Sequence, residues 1–481
     1  MDREQDVTDA TTPDGATNGA ADRAAHGAPA GAADGAPAGT TDAAMPGWKR
    51  NAAVFLSGQT ISLLGSMIVQ YAVMWHLTIE TRSGSVLMLS IVFGMLPQAF
   101  VSIFGGVWAD RHSRKLLIMG SDTAIAAITL GLALLMVSGV DDLWVIFAAL
   151  AVRSTFAGIQ TPAVSAMIPQ IVPTDQLMRI NGIFQSIQSG MMLLAPVVAA
   201  AIYASFDIVA VFFVDVVTAL IGVGLLLLVA VPRLVRADDA PVSYFGDLAA
   251  GVRYIAGHGP VKWLMTLFAV TMVLVGAPSY LTPLMVTRTF GPEVWKLTAN
   301  EIFWAVGMLA GGIVVAALGS RITNRIALIV GTVLAAGVLT AGLGVATNMW
   351  VFFTLGLLIG ATFSLMSAPS MAILQETVEP EKQGRVFGFV GIVMTVAMPL
   401  SMVVFGPLAD RFSVESLLVV AGVLLMAFVA GLLAVPSARR SLAQVARPAA
   451  PPEGEGVDGA AGADDARTAA GEPAVRDAAG A

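Results

Sequence analysis

From Trp48 onward the chain alternates long apolar runs with short polar breaks, and twelve of these runs reach about 20 residues or more. They cover 51–78, 86–109, 116–138, 143–165, 178–204, 208–231, 260–286, 298–318, 326–346, 349–373, 385–406 and 415–436. A helix of about 20 residues crosses the hydrocarbon core of a bilayer, and in lipid only a helix or a closed barrel satisfies its own backbone. The pattern therefore predicts twelve transmembrane helices. The longest internal polar segment, 232–259, separates the sixth run from the seventh. Within it Phe245, Leu248, Val252 and Ile255 recur at helical spacing, which predicts an amphipathic helix on the membrane surface.

The two flanks read differently. Residues 1–46 and 438–481 are rich in Ala, Gly, Asp and Pro and offer too little apolar surface to offset the entropy of ordering, so both are expected to be disordered. The first lacks the basic segment followed by an apolar one that marks a signal peptide. The body divides into 47–231, the linker 232–259, and 260–437. Orientation follows from the cations. With the amino terminus inside, 17 Lys and Arg residues between Lys49 and Arg447 fall on inward loops and near tails, against Arg82, Arg288, Lys296 and Arg411 outside. That bias predicts a multi-pass protein of the cell membrane with both termini cytoplasmic.

Composition agrees and removes some chemistries. The chain is 56% hydrophobic and 12% charged, with a mean hydropathy of +0.79. It has no cysteine, and its four histidines, His26, His76, His112 and His258, are too scattered for a metal cluster. No His-Glu-x-x-His pair and no Gly-x-x-x-x-Gly-Lys-Ser/Thr phosphate loop occurs. Neither an intramembrane enzyme nor direct ATP drive is supported, and no cofactor, metal or nucleic-acid partner is expected. The net charge of −7 lies partly in the tails.

The halves echo each other. Val172-Pro-Thr-Asp-Gln-Leu-Met-Arg179-Ile-Asn-Gly182 precedes the fifth run, and Val378-Glu-Pro-Glu-Lys-Gln-Gly-Arg385-Val-Phe-Gly388 precedes the eleventh. The same offset carries Gly105-Gly106 onto Gly311-Gly312. A parallel repeat of six spans fits, because an even number per half keeps both copies in one orientation.

Between the second and third runs stands Gly105-Gly-Val-Trp-Ala-Asp110-Arg111-His-Ser-Arg114-Lys115. It resembles the signature loop of the major facilitator superfamily, Gly-x-x-x-Asp-Arg-x-Gly-Arg-Lys, counted from Gly106, with Ser113 in place of the second glycine. The resemblance implies an all-α polytopic fold of twelve helices in two pseudo-symmetric six-helix halves. It also implies a conformational latch in which Asp110, with Gly106, Arg111, Arg114 and Lys115 around it, faces the start of the eleventh span near Gly384. A positive-inside anchor is the alternative for the bases. Leu408-Ala-Asp410-Arg411 looks like a partial copy, is expected on the outer face, and reads as a local loop or helix-cap pair. Further stretches, GQTISLLGSMIVQYAVMWHLT, VRSTFAGIQTPAVSAMIPQIVP, GRVFGFVGIVM and GPLADRF, resemble the macrolide-efflux branch, to which siderophore exporters are more distant kin.

Charges inside spans need a reason. Arg153, in the fourth run, stays charged and is suited to holding a carboxylate. Asp215, in the sixth, is expensive as an anion and is a candidate proton carrier; the other reading is a structural carboxylate bonded to neighbouring groups. Glu301 and Asp122 are further coupling candidates, expected nearer the interface. Gln59, Ser62, Ser66 and Gln70 share one face of the first span, and Gln185, Ser186, Gln188 and Ser189 cluster in the fifth. These polar faces are candidates for a substrate cavity, with interhelical hydrogen bonding as the alternative. Gly190 and Pro196 resemble, in degraded form, the Gly-x-x-x-x-Gly-Pro element of exporters in the superfamily, and are hinge or packing candidates. The expectation is a monomeric proton-coupled antiporter that exports amphipathic small molecules such as macrolide-like drugs, and so confers antibiotic resistance. A siderophore or metabolite exporter and a transport-inactive receptor are the alternatives.

Overall fold

The computed structural model describes residues 47–231, 244–322 and 324–446. The tail 1–46, the linker stretch 232–243 and the tail segment 447–481 lie outside the described residues, as do the side chains of Asp110, Phe245 and Leu248. Among the described residues there are helices and turns and no strand. Six helices come first: α1 Trp48–Thr81, α2 Gly84–Arg111, α3 Arg114–Val137, α4 Leu143–Ile171, α5 Leu177–Ser205 and α6 Ile208–Leu227. After α7, Tyr244–Gly257, come α8 Gly259–Met285, α9 Val294–Leu318, α10 Arg325–Val345, α11 Met349–Thr377, α12 Pro380–Arg411, α13 Val414–Ala434 and a final α14, Pro436–Ala446. Twelve of these are long and apolar enough to span a membrane, and each falls on one of the twelve runs in the sequence.

Short caps stop and restart the helices. Asp207 accepts from the Ile208 amide at 2.6 Å at the start of α6, Asn324 from Ala327 at 2.9 Å, and Asn348 from Trp350 at 2.8 Å. Each satisfies a backbone donor that the first turn leaves open. The α1–α2 corner is closed by Arg82 in the left-handed region, φ 50°.

Within each group of six the neighbours correspond. α2 packs on α4 as α9 packs on α11, α1 on α6 as α8 on α13, and α3 on α6 as α10 on α13. Between groups, α2 lies against α12 and α5 against α9, again as equivalent pairs. The repeated glycines do the same work in both copies. A side chain on Gly105 would meet the Gly158 carbonyl oxygen, and one on Gly311 the Ala361 carbonyl oxygen. Gly106 and Gly312 face open space, so the close helix approach belongs to the first glycine of each pair.

The outward faces are apolar. On α6, Phe213, Val217, Leu220 and Ile221 are exposed, while Phe212, Asp215, Ala219 and Gly222 are buried on the other side. A stripe of that kind suits contact with lipid tails.

Two expectations change. The amphipathic segment is helical as α7, but it packs on α12 and α8 as well as presenting an outer face: Gly251 presses on the Arg385 backbone and Ile255 is buried, whereas Val252 is exposed. The tail expected to be disordered from 438 onward begins instead with α14. Ala438 and Leu442, one turn apart, are buried, and α14 packs on α8, α13 and α10. Two apolar positions at helical spacing hold that short helix against the bundle, even in an Ala/Arg-rich sequence.

Candidate functional site: a buried ion pair, two cavities and a clamped end

The chain runs up α1, down α2 and so on, so the bundle has two ends. One carries the α2–α3 turn with Arg114; the other carries the α1–α2 corner and the end of α12 with Asp410. In the first six helices, polar side chains from α1, α3, α4 and α6 meet in two layers.

In the layer nearer the Asp410 end, Arg153 Nη1 lies 2.5 Å from Asp215 Oδ2, a pair with side chains 10% and 1% exposed. Arg153 also donates to Thr129 Oγ1. That hydroxyl lies 3.0 Å from Asp215 Oδ2, and Ser66 donates to Oδ1 at 3.4 Å. Gly65 makes room for this arrangement, because a Cβ there would run into Thr218 Oγ1 and come 3.1 Å from Asp215 Oδ1. In the second layer, Asp122 Oδ1 accepts from Ser62 at 2.6 Å and from Gln160 at 2.7 Å. Its other oxygen, Oδ2, is buried with no hydrogen-bond partner among the described residues. Asp122 and Thr129 on α3 stand seven residues apart, as do Arg153 and Gln160 on α4, so the layers are about 10 Å apart along the helix axes.

Asp122 is thus not an interface residue: it is 2% exposed, a little over two turns into α3, and held from α1 and α4. Glu301 also lies inside, lining a central cavity. The polar face of α1 divides: Ser62 and Ser66 serve the two carboxylates, Gln59 is buried, and Gln70 is exposed and lines two cavities. On α5, Gln185, Gln188 and Ser189 line neither of these cavities. Gly190 faces open space, and the tightly packed small residues of α5 are Ala195, Pro196 and Ala199.

The first cavity, about 150 Å³, is bordered by Arg153, Ser66, Gln98, Gln160, Gln70 and Tyr280. Asp215 and Asp122 sit one residue behind this wall. The second, about 300 Å³, lies between the two groups of six and is lined by Tyr71, Tyr280, Asn300, Glu301, Trp304 and several methionines. Gln70, Met74 and Tyr280 border both. Tyr280 is fixed there by sulfur contacts, 3.7 Å to Met95 and 3.4 Å to Met398.

The signature-loop bases staple helix ends. Arg114 donates to the carbonyls of Ala109, at 3.1 Å, and Ala166, at 2.7 Å. Lys115 reaches Leu227 and Val229 at 3.0 and 2.8 Å, which closes the end of α6. Cations suit helix C-termini. The Asp110 side chain lies outside the described residues.

At the opposite end, Asp410 is not part of a local pair. It caps α2, across the boundary between the groups, accepting from the Gly84 amide at 2.6 Å, Ser85 at 2.9 Å and the Ser83 hydroxyl at 3.1 Å. Arg288, 3.5 Å from Asp410, donates to the carbonyl of Arg82, at 3.1 Å from Nε and 2.5 Å from Nη2, and to that of Ala409 at 2.7 Å. Gly84 and Gly406 allow the two helices to meet at backbone distance. The sequence signal was present in Leu408-Ala-Asp410-Arg411, but its partner lies more than 300 positions away.

Comparison with known proteins agrees with this architecture. Residues 52–401 and 295–458 match the family model described as Major Facilitator Superfamily. Macrolide efflux protein A of Streptococcus pyogenes is 30% identical over 384 residues, 79% of this chain and 94% of that protein. Its counterpart in Enterococcus faecalis is 30% identical over 325 residues, 66% of this chain and 100% of that protein. Among solved structures, a mutant of the nucleoside transporter NupG superposes with a TM-score of 0.62 at 13% identity, over 82% of this chain and 99% of that one. A bacterial homologue of the human lysosomal transporter Spinster, inward-facing and unoccupied, gives 0.61 at 12% identity, over 85% and 100%. At such identities the likeness concerns the fold alone.

Proposed function

The chain belongs to the major facilitator superfamily, and on that premise we propose that it exports amphipathic small molecules, macrolide-like drugs among them, in exchange for protons. The observation that carries the reading is the Arg153–Asp215 pair, buried between α3, α4 and α6 at the wall of a cavity. A charged pair out of water is expensive and breaks at a cost of about 3–5 kcal/mol when one partner is lost. Protonation of Asp215 removes the anion that holds Arg153 and leaves the guanidinium to turn toward the cavity it borders. One proton is thereby converted into a change in how α4 meets α6. The names of the two macrolide efflux relatives support the substrate class.

The lysine and arginine distribution supports cytoplasmic termini, with the Arg114 end toward the cytoplasm and the Asp410 end outward. In that orientation the Asp410–Arg288 clamp holds the outer side closed, and export requires its release. The chain acts as a monomer in this reading, since the ion pair and both cavities are complete within it.

Asp215→Asn tests the proposal. It keeps the shape of the side chain and removes the charge that exchanges with a proton. In proteoliposomes, export of erythromycin driven by a proton gradient should fall at least tenfold, while erythromycin binding and downhill exchange remain. Full gradient-driven export by the variant rules out Asp215 as the carrier and transfers the test to Asp122. If a labelled siderophore is exported by the native protein and erythromycin is not, the substrate class is wrong.

A further inference from the structure

We infer that Glu301 and the aromatic rings around it form a binding site for a protonated amine carried on an apolar body. The inference rests on the export reading above and names the chemistry of the group the central cavity holds. Glu301, about two turns into α9, lines the cavity of about 300 Å³ between the two groups of six helices. Among the described residues no Lys, Arg or His forms an ion pair with it, unlike Asp215, Asp410, Glu293, Glu376 and Glu379. The neighbouring Asn300 is neutral, and its amide donates to Thr282 at 3.1 Å. A carboxylate at such a depth needs a counter-charge, and here the open volume is where that charge fits.

The rest of the wall suits one kind of cation. Tyr71, Tyr280 and Trp304 line the same cavity. Their ring faces attract a cation, and alkylated ammonium groups are the ones such rings recognise, because a bare ammonium prefers water. Met67, Met74, Met192 and Met398 supply the remaining apolar surface, and methionine adapts to bodies of varied shape. A hard metal ion is usually held by several carboxylates, whereas this wall offers one carboxylate, with only the neutral amide and hydroxyl groups of Gln70, Asn300 and Thr282 beside the rings and thioethers. The volume holds a ring-sized substituent rather than a whole macrocycle, so the amine-bearing part enters and the larger body remains outside.

The test uses the full chain in nanodiscs and a matched pair of probes. One is a macrolide carrying a dimethylamino group; the other is the same macrolide with that nitrogen demethylated and converted to an amide, which is neutral. The native protein is expected to bind the amine at least tenfold more tightly. On the native protein, the amine should also protect Glu301 from a hydrophobic carbodiimide, read by mass spectrometry, and the amide should not. Glu301→Gln should reduce amine affinity to that of the amide and leave the amide within about twofold. Trp304→Leu should weaken the amine at least threefold more than the amide, because it removes a ring and no charge. Equal binding of the two probes by the native protein, or labelling of Glu301 that the amine leaves unchanged, overturns the amine site and leaves the export reading standing. Binding of neither probe overturns the export reading, and this inference with it.

Discussion

Gly65 shows how little room the buried Arg153–Asp215 pair has. Its missing side chain is the space that Thr218 and Asp215 occupy. Gly65→Ala should therefore push Thr218 aside and loosen the carboxylate, at a cost of about 1–3 kcal/mol, the usual penalty of overpacking. A lower melting temperature of the purified variant, with recovery in Gly65→Ala/Thr218→Ala, is the expected result. No gain from the second change would mean that the clash is relieved elsewhere. Arg153→Ala should be worse, because it leaves Asp215 buried without its cation, whereas Arg153→Lys keeps a charge and loses the planar fork. Thermal unfolding should rank the proteins native, Lys, Ala. Much of this site is legible in the sequence. Arg153 and Asp215 stand out in spans that carry almost no charge, and an arginine at that depth points to a carboxylate partner. Thr129 and Gln160 were missed, since a single Thr or Gln in an apolar helix is unremarkable until its neighbours are known. Spacings of seven on α3 and α4, each starting from a charged residue, were the available sign.

Among elements, the ends of helices carry the specificity. The sequence marks several helix starts with Ser, Asp or Asn, among them Ser83, Asp207, Asn324, Asn348 and Ser413, and the observed ends lie within six residues of the apolar runs. It does not say which helix end meets which. Asp410 looks local because its neighbours in sequence are local; it caps α2 because α2 and α12 pack through Gly84 and Gly406. Hydrogen bonds to a charged group contribute about 1.5–3 kcal/mol each, so losing the charge should shift the clamp by about tenfold or more toward release. Asp410→Asn and Arg288→Ala are each expected to increase a long-distance population between spin labels at Glu80 and Phe412. The absence of native cysteines makes that labelling clean. Unchanged distance distributions in both variants would mean that the contacts are incidental to closure.

The whole molecule is a repeat with unequal details. Pairings between helices are duplicated almost throughout, which is why the six-plus-six plan was legible in the recurrence of Val172–Gly182 as Val378–Gly388. The two polar layers are confined to the first six helices, and Glu301 belongs to the second six, so the proposed proton site and the proposed amine site fall in different halves and touch at Gln70 and Tyr280. The tail was harder to read, because α14 depends on only a few buried side chains. A chain trimmed to residues 45–447 should transport at the native rate. One ending at Val435 removes Ala438 and Leu442 from the surface of α8, α10 and α13 and should melt several degrees lower, consistent with about 1–3 kcal/mol for a buried leucine. Equal melting temperatures would show that α14 contributes nothing to the bundle.

Arg288 and Asp410 grip main-chain atoms for most of their bonds: the carbonyls of Arg82 and Ala409, and the amides of Gly84 and Ser85. Every amino acid except proline offers the same carbonyl and amide, so the partners' side chains are free to drift. Saturation mutagenesis scored by drug survival should therefore give an uneven map of this end. Positions 288 and 410 should tolerate almost nothing, 84 and 406 only the smallest residues, 85 nearly any residue except proline, and 82 most residues but not β-branched ones, which its left-handed backbone strains.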